Sequence, residues 1–369
     1  MAKSSGRLVS LDIFRGLIIA FMIIVNDPGS WQYVYPPLRH SEWNGCTPTD
    51  LVYPFFLFIV GMSMYFSLKK YGSELNGSSL FRIFRRTVTI FAIGLFLTIF
   101  PYFGMDYSKL RIMGVLQRIA LAYGVGSLIC LSVRKNYLWI VVTFMLLAYW
   151  GLLVLFGGNE PFSLQGNFVL KADLAILGKN HLYTGFGIPF EPEGLLSTIP
   201  SICTVIIGYF IGGMVGEGSA SWKKALKLIL FGAASFGLGY LWNFIFPINK
   251  PLWTSSYVLY SAGIGMGLFS IIYLVADVFS FQAPGAFFKV FGTNALFSYF
   301  LAGIWIRMLL FIQIHSGTGK INLYNWFYER VCVPVAGNMK GSLLFAFIQM
   351  FIIWGLALIL YRKKIMIRL

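Results

Sequence analysis

The sequence predicts an all-α fold, a polytopic membrane helix bundle of about ten transmembrane helices with both termini in the cytoplasm. Three observations carry that prediction. Of the 369 residues, 58% are hydrophobic and only 11% are charged, too few charges to clothe a soluble protein of this size. Apolar runs close to the ~20 residues that cross a bilayer recur along the whole chain. Aromatic residues reach 18%, as expected where Trp and Tyr ring the two membrane interfaces.

The apolar runs place helices at about 9–26, 50–68, 84–101, 113–133, 137–157, 195–216, 224–246, 255–279, 288–312 and 342–361. No repeat, soluble segment or low-complexity linker interrupts them, so residues 1–369 read as a single transmembrane domain. The first run contains Arg15 and lacks a convincing cleavage site, and reads as a retained helix, not a signal peptide. The formal charge of +16 does not point to nucleic acid, because the basic residues sit in short clusters between apolar runs. With the N-terminus inside, alternate loops collect Lys3, Arg7, Lys69, Lys70, Arg82, Arg85, Arg86 and the basic tail ending at Arg368 on the inner side. Arg39, Arg111, Lys250 and a few others fall outside, at roughly a third of the density, which is the positive-inside pattern.

Between the first two helices lies a polar loop, residues 26–54, NDPGSWQYVYPPLRHSEWNGCTPTDLVYP. It holds His40, one of three histidines, together with Trp43, Asn44 and Asp50. An imidazole with carboxylates and amides close in sequence can take or hand on a proton near neutral pH. The plainer reading is a polar loop that caps two helices. Two other outer segments are long, residues 158–193 and 313–340, and each reads as a re-entrant cover or an ordinary ectodomain loop.

Charges inside helices are costly unless paired or facing water. Arg15 follows Asp12 by three residues, which fits an ion pair, and equally fits a guanidinium fork for a phosphate-bearing ligand from the cytosol. Arg118 with Gln117 suits a polar cavity within the bundle. Arg307 lies near a helix end and reads as a snorkelling side chain. Asn243, Asn294 and Asn26 read as interhelical contacts first. Arg15 and Asn26 are ~16 Å apart along the first helix, so a phosphate-bearing ligand at Arg15 needs a long arm to reach the His40 loop. Coenzyme A has one. Cys130 and Cys203 read as packing residues, Cys46 and Cys332 fall on the same side where a disulfide is permitted, and no spacing indicates a metal site.

RLVSLDIFRGLIIAFMIIVND and HSEWNGCTPTDLVYPFFLFIVGMSM strongly resemble the heparan-α-glucosaminide N-acetyltransferase family of transmembrane acyltransferases. The likeness continues in order through GVLQRIALAY, PFEPEGLLSTIPSICTVIIG, PINKPLWTSSYVL and FGTNALFSYF. The resemblance implies acetyl-CoA bound from the cytosol, and acetyl transfer to an amino sugar on the far side. It implies a catalytic set of His40, Asn26 and Asp50, and arginines at Arg15 and Arg118. The family's usual D-P-E-G appears as Glu191-Pro192-Glu193-Gly194, one methylene longer at Glu191. It further implies a homodimer in the inner membrane among lipid, in a compact bacterial-type layout; the charge count above places the His40 loop outside.

Within that reading His40 is a general base in a ternary complex or the nucleophile of an acetyl-histidine route. Asp50 orients the imidazole, or is simply a helix-start carboxylate favoured by the dipole. Asn26 or Asn44 donates to the developing oxyanion. Arg15, Gln117, Arg118 and Asn44 are the candidate acetyl-CoA contacts. Trp43, Glu193, Glu191 and Lys250 are the candidates for holding the sugar. The competing class is an amino-sugar permease with Arg118 and the carboxylates along a translocation path, for which some internal inverted repeat is expected.

Overall fold

The computed structural model describes residues 8–70, 75–316 and 319–367. Lys3, Arg7 and Arg368, used above to orient the chain, lie outside the described residues. Among the described residues thirteen α-helices follow one another: α1 (Val9–Asn26), α2 (Val52–Lys70), α3 (Gly77–Ile99), α4 (Val115–Ser132), α5 (Leu138–Phe156), α6 (Phe168–Leu177), α7 (Thr198–Gly216), α8 (Trp222–Trp242), α9 (Ser255–Tyr273), α10 (Ala286–Thr293), α11 (Ala295–Phe311), α12 (Leu323–Phe327) and α13 (Val333–Arg362). Among the described residues eight helical segments are long and apolar enough to cross a membrane, or nine if the bent α10–α11 pair is one span. Helix α3 matches the predicted third helix in position, but carries Arg82, Arg85 and Arg86 in its first half.

The ends of the helices follow local chemistry. Asp27 and Pro28 stop α1, since a proline cannot donate to the helix ladder. Asn76 caps α3 by accepting from the Ser79 amide, and Ser79 returns a bond to the Asn76 amide. Asp277 accepts from the Val9 and Ser10 amides and so caps α1 from the far end of the sequence.

Two expectations are corrected in detail. The ninth predicted helix is broken at Asn294, where α10 and α11 meet at 71°. The tenth begins earlier than residue 342, and Gly337 interrupts it at φ +72, a left-handed conformation that glycine tolerates. The segment before it contains an antiparallel hairpin, β1 (Gln313–Ser316) with β2 (Gly319–Asn322), and then α12.

Packing runs in close pairs: α2 on α7, α8 on α9, α1 on α10 and α3 on α4. In hydrocarbon the drive for association is contact between surfaces, so small residues that let backbones approach matter most. At Gly61 a Cβ would stand 1.9 Å from the Val205 carbonyl oxygen, and at Gly208 2.1 Å from that of Phe58. Only glycine fits at either place. This contact fixes α2, which carries the site at one end and a basic cavity at the other.

Candidate active site

The His40 loop is held by a buried carboxylate. Asp50 Oδ1 lies 2.7 Å from His40 Nδ1, while Oδ2 accepts from the Ser41 amide, the Thr47 amide and the Thr47 hydroxyl, each at 3.0 Å. Thr47 Oγ1 also reaches the Arg39 carbonyl at 2.7 Å, which closes the loop on itself. A carboxylate only accepts, so Nδ1 carries a proton, and in the neutral ring Nε2 is the basic nitrogen. The His40 side chain is 41% exposed against 1% for Asp50. The imidazole is reachable; its anchor is not.

A distant segment completes the group. Gly45 donates its amide to the Ile248 carbonyl at 2.7 Å, and Asn249 Nδ2 donates to the Trp43 carbonyl and to Asn44 Oδ1. Gly45 allows this turn with φ +106. The next residue, Lys250, then brings Nζ to 3.1 Å from His40 Nδ1 and 3.5 Å from Asp50 Oδ1. With Nδ1 protonated the ammonium pairs with the carboxylate. Burial lowers the Lys250 ammonium from its ordinary range against the pull of Asp50 and Glu193. On the same loop, burial and then Asp50 push the Cys46 thiol up to about 12, which disfavours the thiolate.

A cavity of ≈ 140 Å³ opens beside this group, lined by His40, Asn26, Thr49, Tyr53, Glu193, Lys250 and Tyr299 among others. Glu193 enters it on a turn organised by Arg111. That guanidinium forks onto Glu191, with Nε 2.8 Å from Oε2 and Nη2 2.5 Å from Oε1, and also reaches Glu193 Oε2 at 2.7 Å. Burial pushes Glu191 up to about 7. For Glu193 burial acts in the same direction, but Arg111, Arg118 and Lys250 outweigh it and hold the carboxyl below its usual range. Arg111 went unread as a site residue because it lies 80 positions from Glu191.

Several expected residues stand elsewhere. Arg118 is fully buried under the Glu193–Gly194 turn, bonded to Ser197 Oγ and the Gly194 carbonyl, with its guanidinium 5.0 Å from the Trp253 ring centre. Arg118 and its buried neighbour Gln117 line neither this cavity nor the basic one at the far end of α2; Ile119, on another face of α4, lines both. Trp43 donates to the Phe162 carbonyl and packs on Phe186 and Phe190, while Asn44 is exposed and held by Asn249. Glu191 is wholly taken up by Arg111 and the Glu193 amide. Cys46 and Cys332 are both free.

The second cavity, ≈ 610 Å³, lies at the opposite end of α2. Arg15, Arg82, Arg85 and Arg86 line it, with Ser63, Ser67 and the start of α11. Arg15 is held by Asp12 at 3.3 Å, Ser63 Oγ at 2.7 Å and the Gly292 carbonyl at 3.0 Å, so it is both ion-paired and cavity-lining. Arg86 lies 4.7 Å from the Tyr123 ring centre. Four guanidinium groups and a helix N-terminus form a strong anion-binding wall. Phe56 and Ile119 line both cavities.

The sequence model of the family described as heparan-alpha-glucosaminide N-acetyltransferase, catalytic, matches residues 7–240. The chain belongs to this family. Curated relatives include heparan-alpha-glucosaminide N-acetyltransferase of Mus musculus, 30% identical over 363 residues, covering 80% of this chain and 53% of that protein. The protein of the same name from Homo sapiens is 29% identical over 358 residues, covering 79% and 52%. The chain spans about half the length of these relatives. The family match takes in His40, Asp50, Glu193 and the four arginines; Lys250 lies beyond it.

Proposed function

We propose that this chain is a transmembrane N-acetyltransferase that moves acetyl from cytosolic acetyl-CoA to the amino group of a glucosamine-type sugar on the outer side. The observation that carries the reading is the pair of cavities, one basic and one holding His40, that meet at Phe56 and Ile119. The two relatives described above bear the name of an N-acetyltransferase.

The residues present fit a phosphate-rich ligand. Arg15, Arg82, Arg85 and Arg86 offer forked donors to its phosphates, and acetyl-CoA supplies the thioester. The remaining chemistry belongs to this chain. His40 Nε2 takes the proton from the attacking amine as general base, while Asp50 fixes the tautomer and stabilises the imidazolium that forms. The amine nitrogen bonds the acetyl carbon, the carbon–sulfur bond breaks, and the thiolate leaves to be protonated as free CoA. Asn26 lines the same cavity and donates where negative charge grows on the carbonyl oxygen. Glu193 and Lys250 hold the sugar. Arg118 and Arg111 position Glu193 from beneath.

Proteoliposomes loaded with acetyl-CoA and given glucosamine outside test this reading. N-Acetylglucosamine appearing outside, with CoA retained inside, is the expected result. Transfer only when both substrates share one compartment would overturn it.

A further inference from the structure

A third cavity, ≈ 680 Å³, lies across the α1–α2 pair from the His40 cavity, and every residue lining it is apolar. Leu17, Phe21 and Ile24 of α1 form one wall, Ile264 and Leu268 of α9 another, and Phe351 of α13 stands at its rim, 54% exposed. All of these residues belong to helices with the length and composition of membrane spans. In a bilayer only hydrocarbon or another helix reaches such a face. A second copy related by a two-fold axis would set the same concave surface against itself and leave a void, whereas a chain of methylenes fills a groove.

Position says which hydrocarbon. One turn of chain divides this groove from the His40 cavity: Thr49 faces the cavity, Pro48 and Leu51 face the groove, and Val52 lines both. Asp50, which anchors His40, belongs to that same turn. The end of the groove therefore lies beside the reacting centre.

We propose that the groove receives the hydrocarbon tail of the acceptor, so that the acceptor is a lipid-linked amino sugar. This rests on the acetyltransferase reading above. The tail lies along α1 and α2, and the sugar passes around the exposed Pro48 at the outer end of this turn to present its amine to His40. Tethering of this kind raises the local concentration of the sugar without any new polar contact.

The test uses the full chain in lipid nanodiscs with acetyl-CoA and two acceptors, methyl and octyl glucosaminide. The octyl acceptor is expected to show a KM at least tenfold lower. Ile24→Trp fills the groove, and is expected to raise the octyl KM at least fivefold while leaving methyl glucosaminide turnover unchanged. Leu268→Trp on the facing wall repeats the experiment from a different helix, and methyl glucosaminide turnover reports folding in both variants. An octyl KM insensitive to both substitutions means that the tail rests in bulk lipid or that a bilayer lipid fills the groove, and overturns the proposal. No turnover of either acceptor by the unsubstituted chain overturns the acetyl-transfer reading itself.

Discussion

Phe56 on α2 and Ile119 on α4 each line both cavities, so the floor beneath His40 is also the roof above the arginines. For a ligand anchored at the basic end, this pair stands between its anchor and the imidazole. Ile119 is 2% exposed, and a larger side chain there costs about 1–3 kcal/mol in overpacking. Ile119→Phe is the mild substitution and Ile119→Trp the severe one. Acetyl transfer is expected to fall at least tenfold in Ile119→Trp, with acetyl-CoA affinity by calorimetry within about threefold of the unsubstituted chain. Unchanged turnover would place the path elsewhere.

Asp50→Asn removes the carboxylate that selects the His40 tautomer. The amide can donate to Nδ1 and so favours the wrong one. A loss of roughly 10²–10⁴ in kcat is expected, with acetyl-CoA binding retained, because the arginine cavity is untouched. A change confined to KM would make Asp50 a loop anchor only, a role its bonds to Ser41 and Thr47 also support.

The four arginines divide by their local partners. Arg85 is exposed at the cavity wall, so Arg85→Ala is expected to weaken acetyl-CoA binding about five- to tenfold with little change in thermal stability. Arg15→Ala weakens binding too, and lowers the melting temperature as well, because Asp12, Ser63 and the Gly292 carbonyl lose their donor. Equal melting temperatures for the two variants would contradict this division.

The pairing of His40 with Asp50 was more legible in the sequence than its surroundings. His40 and Asp50 are ten residues apart on one loop, so a local reading joined them. Lys250 was named a sugar contact, but its pairing with Asp50 depends on Asn249 docking against residues 43 and 44, which no local pattern reveals. Arg82, Arg85 and Arg86 were legible as an orientation signal; only the packing of α3 against α4 turns them into a cavity wall. Arg118 was read as a cavity group, and its burial beneath the Glu193–Gly194 turn was not legible, because it depends on which face of α4 meets Gly194 and Trp253. All ten predicted helix positions are occupied by helix, but among the described residues eight segments, or nine with the bent pair, have the length and hydropathy of a membrane span, and the arginine-bearing α3 is not one of them. The break at Asn294 was not legible, because the apolar run continues through it.

Asp173 on α6 supports the Glu193 turn from below, its Oδ1 accepting from the Leu195 and Leu196 amides. Burial raises its carboxyl from 3.8 to about 6, against the pull of those amides and of Arg118. The folded state then binds a proton that the unfolded state releases, so stability falls as pH rises from 3.8 through about 6. The shift corresponds to roughly 2–3 kcal/mol. Asp173→Asn keeps an acceptor and removes the titration. Its melting temperature is expected to lose this pH dependence and to exceed that of the unsubstituted chain at pH 7; an unchanged pH slope would contradict the assignment.

In the proposed reaction His40 passes a proton while acetyl moves from acetyl-CoA to an amino sugar. The most direct measurement supplies purified protein with radiolabelled acetyl-CoA, with and without glucosamine, and follows labelled sugar, labelled protein and free CoA. The expected result is label on the sugar, with CoA released in equal amount and only when sugar is present, and both lost in His40→Ala although that variant still folds and binds acetyl-CoA. Label on the protein without sugar would contradict the general-base role and favour an acetyl-histidine. Transfer that persists in His40→Ala, or no label on any amino sugar, would contradict the account itself, and the second result would make sugar flux through the membrane the next quantity to measure.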